Sequence, residues 1–90
     1  MLNFDKGEIV ICSVETKQGG KLKDPDSLQI SIYKPGNILD INLVGMSRDS
    51  EGEWHYDYDT TDKPLGEYRA RIKLVFGSRI KFVDGGFCLQ

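Results

Sequence analysis

His55 is the only histidine of the chain, and it stands between acids in the run "EWHYDYD" (53–59). An imidazole flanked by Glu53 and Asp57 could serve as a general base, provided a nucleophile or a substrate proton lay within hydrogen-bond reach. No G-x-S-x-G turn offers a nucleophile, and alternation along the run places His55 on a solvent-facing side. The surrounding "RDSEGEWHYDYDTTD" carries Asp49, Glu51, Glu53, Asp57, Asp59 and Asp62 with no lysine or arginine between 49 and 62. Calcium favours such oxygen-rich segments, but the spacing breaks the EF-hand pattern early and several acids project in one line from a strand. Cys12 and Cys88 lack C-x-x-C spacing, and one histidine does not complete a zinc set. Phosphate-cradling glycine loops are missing as well. The sequence therefore reads as non-enzymatic, with no catalytic residue, no cofactor and no metal site expected.

Charge is distributed unevenly. The acidic stretch 49–62 is followed by Lys63, Arg69, Arg71, Lys73, Arg79 and Lys81, with Glu67 the single acid among them. The net charge of −2 and a pI near 5.3 argue against a general nucleic-acid binder. A basic sheet built from the second block would also lack exposed aromatics for stacking bases. No basic segment followed by a long apolar run opens the chain, and no stretch approaches the roughly 18 apolar residues of a membrane span. The expected location is cytoplasmic or virion-associated, or extracellular if the chain is a fragment of a surface protein.

The elements that must position these residues have a period of two. "SLQISIYK" sets Leu28, Ile30 and Ile32 on one face, and "EWHYDYD" sets Trp54, Tyr56 and Tyr58 together. "EYRARIKLVF" puts Tyr68, Ala70, Ile72, Leu74 and Phe76 inside, with Arg69, Arg71 and Lys73 outside. Alternation of this kind marks half-buried antiparallel strands. Turn residues at "KQGGK", "KPGN", "DSEGE" and "FGSR" bound strands near 8–15, 27–34, 38–44, 53–59, 67–76 and 79–89. Gly85-Gly86 is expected to bulge the last strand; otherwise Ile80 and Phe82 face opposite to Phe87 and Leu89. In the last hairpin, Leu74 opposite Ile80 and Ile72 opposite Phe82 gives the best apolar match. Cys12 alternates with Val10 and Val14 and reads as a core residue, whereas Cys88 has the opposite parity to its neighbours, which weighs against a disulfide.

"PLGEYRA" (64–70) has the pieces of a tyrosine corner: Leu65 to plug the core, Gly66 for an unusual backbone conformation, and Tyr68 opening an inward row. With "FDKGEIV" (4–10), "KDPDSLQISIYKPGN" (23–37), "SEGEWHYDYDT" (50–60) and "PLGEYRARI" (64–72), the chain resembles immunoglobulin-like modules of the prokaryotic and phage type, macroglobulin-like domains included. The antibody pattern is not met, since Ala70 stands where its second cysteine would fall and the expected third strand, residues 38–44, holds no tryptophan. The resemblance implies an all-β fold, a single immunoglobulin-like antiparallel β-sandwich of about seven strands over residues 1–90.

In such a sandwich the strand at 53–59 belongs to one sheet and those at 67–76 and 79–89 to the other. Arg69, Arg71 and Lys73 would then lie on one outer face and Glu53, Asp57 and Asp59 on the opposite one, a candidate interaction surface. The implied role is a structural or protein-binding module. Its partner would be a second copy or a component of a larger assembly such as a phage particle, with neither nucleic acid nor membrane involved. The alternative is a glycan- or calcium-binding module excised from a surface protein, with Tyr33, "KPGN" and "RDSEGE" as the places for the ligand.

Overall fold

The computed structural model describes residues 2–90, which form ten strands and no helix. In chain order these are β1 (Leu2–Phe4), β2 (Ile9–Glu15), β3 (Lys17–Gln18), β4 (Lys21–Leu22) and β5 (Ser27–Lys34), then β6 (Ile38–Gly45), β7 (Ser47–Ser50), β8 (Glu53–Asp59), β9 (Gly66–Phe76) and β10 (Arg79–Leu89). The protein is all-β. One sheet has the order β1-β10-β9-β5-β6, a second β2-β8-β7, and β3 and β4 make a small hairpin. Every pairing is antiparallel except that of β1 with β10.

Alternation explains which faces meet. On β9 the side chains of Tyr68, Ala70, Ile72 and Leu74 are buried, as are Leu28, Ile30 and Ile32 on β5. The second sheet contributes Val10 and Tyr58 to the same cluster, with Cys12, Val14, Trp54 and Tyr56 packed against it. The core thus lies between the two sheets. Each fully buried aliphatic or aromatic side chain there contributes about 1.5–3 kcal/mol. Tyr68 and Phe87 stack with centroids 5.0 Å apart, and Tyr58 reaches them from the other sheet at 5.9 and 6.0 Å. Two buried threonines close opposite ends of the three-stranded sheet. Just after β2, the Thr16 hydroxyl donates to the Lys23 carbonyl at 2.7 Å. Just after β8, the Thr60 hydroxyl donates to the Glu8 carbonyl at 2.5 Å and accepts from the Gly7 N–H at 2.9 Å. Beside Thr16 the chain also requires Gly52, whose φ is +74° and where a Cβ would stand 2.7 Å from the Thr16 carbonyl oxygen.

The six long strands fall within a residue of their sequence-read limits. Four short ones (β1, β3, β4 and β7) lie beyond what a period-two pattern can register. The last hairpin corrects the expectation. β9 and β10 pair without interruption from Arg79↔Phe76 to Leu89↔Gly66, so Gly77-Ser78 is the whole turn and no bulge occurs at Gly85-Gly86. Ile80 therefore opposes Val75 and Phe82 opposes Lys73, leaving Ile80 59% and Phe82 46% exposed. A two-residue turn sets the register by itself, and keeping the backbone ladder intact outweighs burying two side chains.

Leu65 is also corrected: it is 57% exposed and plugs nothing. Gly66, at φ +130°, lies so close to Pro35 that a Cβ would approach its Cγ to 2.9 Å. The Tyr68 ring is buried and stacks on Phe87.

Candidate interaction faces

Residues of β9 with odd numbers point away from the core, so Arg69 and Arg71 are exposed and Lys73 is half-buried on the outer face of the five-stranded sheet. Their neighbours are fixed by register: Tyr33 of β5 opposes Arg69, while Asp84 and Phe82 of β10 oppose Arg71 and Lys73. The Arg69 guanidinium lies 4.8 Å from the Tyr33 ring centroid and the Arg71 guanidinium 4.2 Å from that of Phe82. Arg71 Nε is also 3.6 Å from an Asp84 carboxylate oxygen. Cations held over aromatic faces gain about 0.5–1 kcal/mol each at exposed sites. This face is a mixed arginine–aromatic surface, and the expectation that the basic sheet would lack exposed aromatics is overturned by Phe82. The unbroken β10 ladder is the cause, because it sends every even-numbered residue outward. Reading "RIKFVDGG" as a plain alternating strand would have found it.

On the other sheet Glu53, Asp57 and Asp59 are all exposed along β8. Glu53 accepts the Ser50 hydroxyl at 2.7 Å and Asp59 accepts the Thr61 N–H at 2.9 Å. The backbone N–H and hydroxyl of Thr61 hold the Asp59 carboxyl below the usual carboxylate range. His55 Nδ1 stands 2.6 Å from an Asp49 oxygen and its Nε2 3.9 Å from Asp57. No group of three metal-binding side chains comes together among the described residues. The two charged sets thus sit on different sheets, each turned away from the shared core.

The corner residues divide into a structural pair and a spectator. Tyr68 donates its hydroxyl to the Pro64 carbonyl at 2.6 Å, and Gly66 supplies the tight approach, while Leu65 faces outward. A second polar cluster escaped the sequence reading. Tyr58 donates to Asp40 at 2.5 Å and Lys63 Nζ is 2.8 Å from the same carboxylate oxygen. Burial raises the Asp40 carboxyl, but the hydrogen bonds from Lys63 and Tyr58 and the charges of Lys63 and Lys34 outweigh it and hold the group below its ordinary value. Burial and the Asp40 charge push the Tyr58 phenol well up. Lys63 is thereby drawn off the basic face. Asp40 lies on β6 and Lys63 in the loop between β8 and β9, 23 positions apart, so no local pattern could reveal the pair.

Both cysteines are free. Cys12 faces the core from β2, and burial, with the Asp57 charge, pushes its thiol up to about 11. Cys88 opposes Glu67 on the far sheet.

A shallow cleft of about 500 Å³ crosses the upper part of the arginine face, lined by Tyr33, Pro35, Glu67, Arg69, Asp84 and Gly86. Missing side chains at Gly85-Gly86 leave its floor open. No helix among the described residues is long and apolar enough to cross a membrane. No protein-family model matches the chain, and neither the curated proteins nor the solved structures contain a significant match.

Proposed function

We propose that the protein is a non-enzymatic immunoglobulin-like β-sandwich that works as a structural or protein-binding module within a larger assembly. The fold reading is supported by strand order. Taking β5 (27–34) as the third strand, in place of the second as the sequence suggested, with β2, β7 and β8 as second, fourth and fifth and β9 and β10 as sixth and seventh, makes the pairings compatible with an immunoglobulin arrangement. Tyr68 bonded back to Pro64 at the start of β9 supports it independently.

The observation that carries the functional reading is the separation of charge onto opposed outer faces, Arg69, Arg71 and Lys73 against Glu53, Asp57 and Asp59. Complementary fields steer and orient association, and arginine beside tyrosine or phenylalanine is the composition of binding hot spots. Light scattering behind a sizing column, at two protein concentrations and at low and high salt, tests self-association through these faces. Assembly that grows with concentration and dissolves in salt, and that Arg69→Glu or Asp57→Lys weakens, is the expected result. A strict monomer under all conditions removes a second copy as the partner of these faces.

The runner-up is glycan binding at the cleft beside Tyr33, where an aromatic ring, Arg69, Glu67 and Asp84 surround an open floor. An oligosaccharide titration followed by amide chemical shifts separates the readings. Saturable shifts confined to Tyr33, Arg69 and Gly86 favour the glycan.

A further inference from the structure

Four strand edges border the two sheets, and they are not treated alike. β6 is broken twice in its pairing with β5, and Leu43 within it takes φ +50°. β7 is four polar residues, Ser47 to Ser50, also with a register shift. Bulges, polar residues and short length are the ordinary protections of an edge against strand addition. The other two edges carry some charge, Glu15 on β2 and Arg79, Lys81 and Asp84 on β10, but neither is short or shifted in register. β2 pairs β8 without a shift, and its outer side has no partner strand. Among the described residues β1 covers β10 only from Phe87 to Leu89, and no strand pairs the outer side of β10 from Arg79 to Gly86.

These two regular edges share one side of the molecule. Between them runs an apolar groove of about 250 Å³ lined by Val10, Cys12, Ala70, Ile72, Val83 and Phe87. Ile11 (61% exposed) and Val83 line it and stand exposed, and Ile9 and Ile80 are exposed on the same two strands. The edges run in opposite directions. The start of β2 adjoins the end of β10, where the Lys6 N–H meets the Gln90 carbonyl at 3.3 Å. Just beyond the end of β2, Lys17 to Gly19 lie beside Arg79 to Lys81.

We propose that a second copy of the chain closes this side, the β10 edge of each copy pairing antiparallel with the β2 edge of the other. The inference rests on the protein-binding reading and names its partner. A two-fold axis parallel to the strands puts each β10 against a β2 and joins the two sheets of one copy to the opposite sheets of the other. Both open edges are satisfied at once, and the contact is isologous and self-limiting. Charge selects this arrangement over like-with-like pairing. The β2 edge is bordered by Glu15, Glu53, Asp57 and Asp59, with Lys17 paired to Glu15 at its end, and the β10 edge by Arg79, Lys81, Arg71 and Lys73 against the one acid Asp84. Two acidic edges or two basic edges would repel, whereas unlike edges attract.

Sedimentation velocity across a concentration series, on the wild type and on Ile11→Lys, tests the proposal. The lysine replaces an exposed residue and should leave the monomer folded, as its circular dichroism will show. A dimer that Ile11→Lys weakens on the order of 100-fold is expected for a central contact. Hydrogen exchange on the wild type gives an independent reading: amides of Ile9–Glu15 and Arg79–Gly86 gain protection as concentration rises. A monomer at every concentration overturns the proposal, and so does an open-ended polymer. A dimer indifferent to Ile11→Lys but lost on Arg69→Glu overturns it too, while leaving protein binding through the charged faces intact.

Discussion

The corner end of the molecule and the side between β2 and β10 are built on opposite principles. Around the corner, Tyr68, Tyr58, Asp40, Lys63 and Thr60 each have a named partner, and three aromatic rings bridge the sheets. Along the β2–β10 side, isoleucines are exposed and two strand edges are unpaired. Stability is concentrated where polar groups are satisfied inside the chain. Surface left apolar and unpaired is available for another chain. Under the proposed edge pairing, a residue matters to folding or to association largely by which of these two regions it occupies.

Truncating a member of each region should separate them most clearly. Tyr68→Ala is expected to lower the unfolding free energy by about 3–5 kcal/mol, as for other large aromatic deletions from a core. Ile11→Ala, on the open side, should change the monomer by less than about 0.5 kcal/mol. Urea denaturation of both variants at a concentration where the protein is monomeric makes the measurement. Equal losses would erase the distinction.

Gly52 extends the comparison to the end closed by Thr16. Gly52→Ala must strain a left-handed backbone and push Thr16 away, at a cost of about 2 kcal/mol or more. Gly85→Ala, beside the open groove with nothing within 4 Å of the added methyl, should be tolerated. Thermal melts of the two variants give the answer directly.

Within the corner, the Asp40 cluster predicts a pH dependence of known sign. Its folded-state pKa is depressed, so it adds stability above the ordinary aspartate value of about 3.9 and loses it as pH falls through the folded value. Asp40→Asn should cost about 1–3 kcal/mol at neutral pH by leaving Tyr58 and Lys63 without their charged acceptor. The difference from wild type should shrink below pH 4. A constant difference down to pH 2 would show that Asp40 acts through packing instead. Tyr68→Phe, which removes only the hydroxyl donated to Pro64, should cost about 1 kcal/mol with no such pH dependence.

The smallest effect concerns Cys12. With its thiol pushed up to about 11, roughly 0.1% is thiolate at pH 8, so alkylation of the native protein should be slow and should accelerate on unfolding. Labelling followed by peptide mass spectrometry distinguishes it from Cys88.

Legibility in the sequence followed the range of the interaction. The β9 alternation is a local property, and it placed Arg69, Arg71 and Lys73 outside and Tyr68 to Leu74 inside without reference to any other strand. Tyr68 and Gly66 were readable for the same reason, because the bond to Pro64 spans four residues. The Phe82 position was missed because an expected bulge reversed its face. The Asp40–Lys63–Tyr58 cluster was missed because its members meet only in three dimensions.

The sequence by itself determined the all-β class, the six long strands and the division of charge into an acidic and a basic block. A period of two and turn residues are written locally, and polar side chains need water whatever the topology. Only the tertiary structure decided that Phe82 would join the arginines, that Leu65 would stay outside, and which strand edges would remain open. Those outcomes depend on register and on how two sheets meet, and a chain encodes them through the sum of many distant contacts.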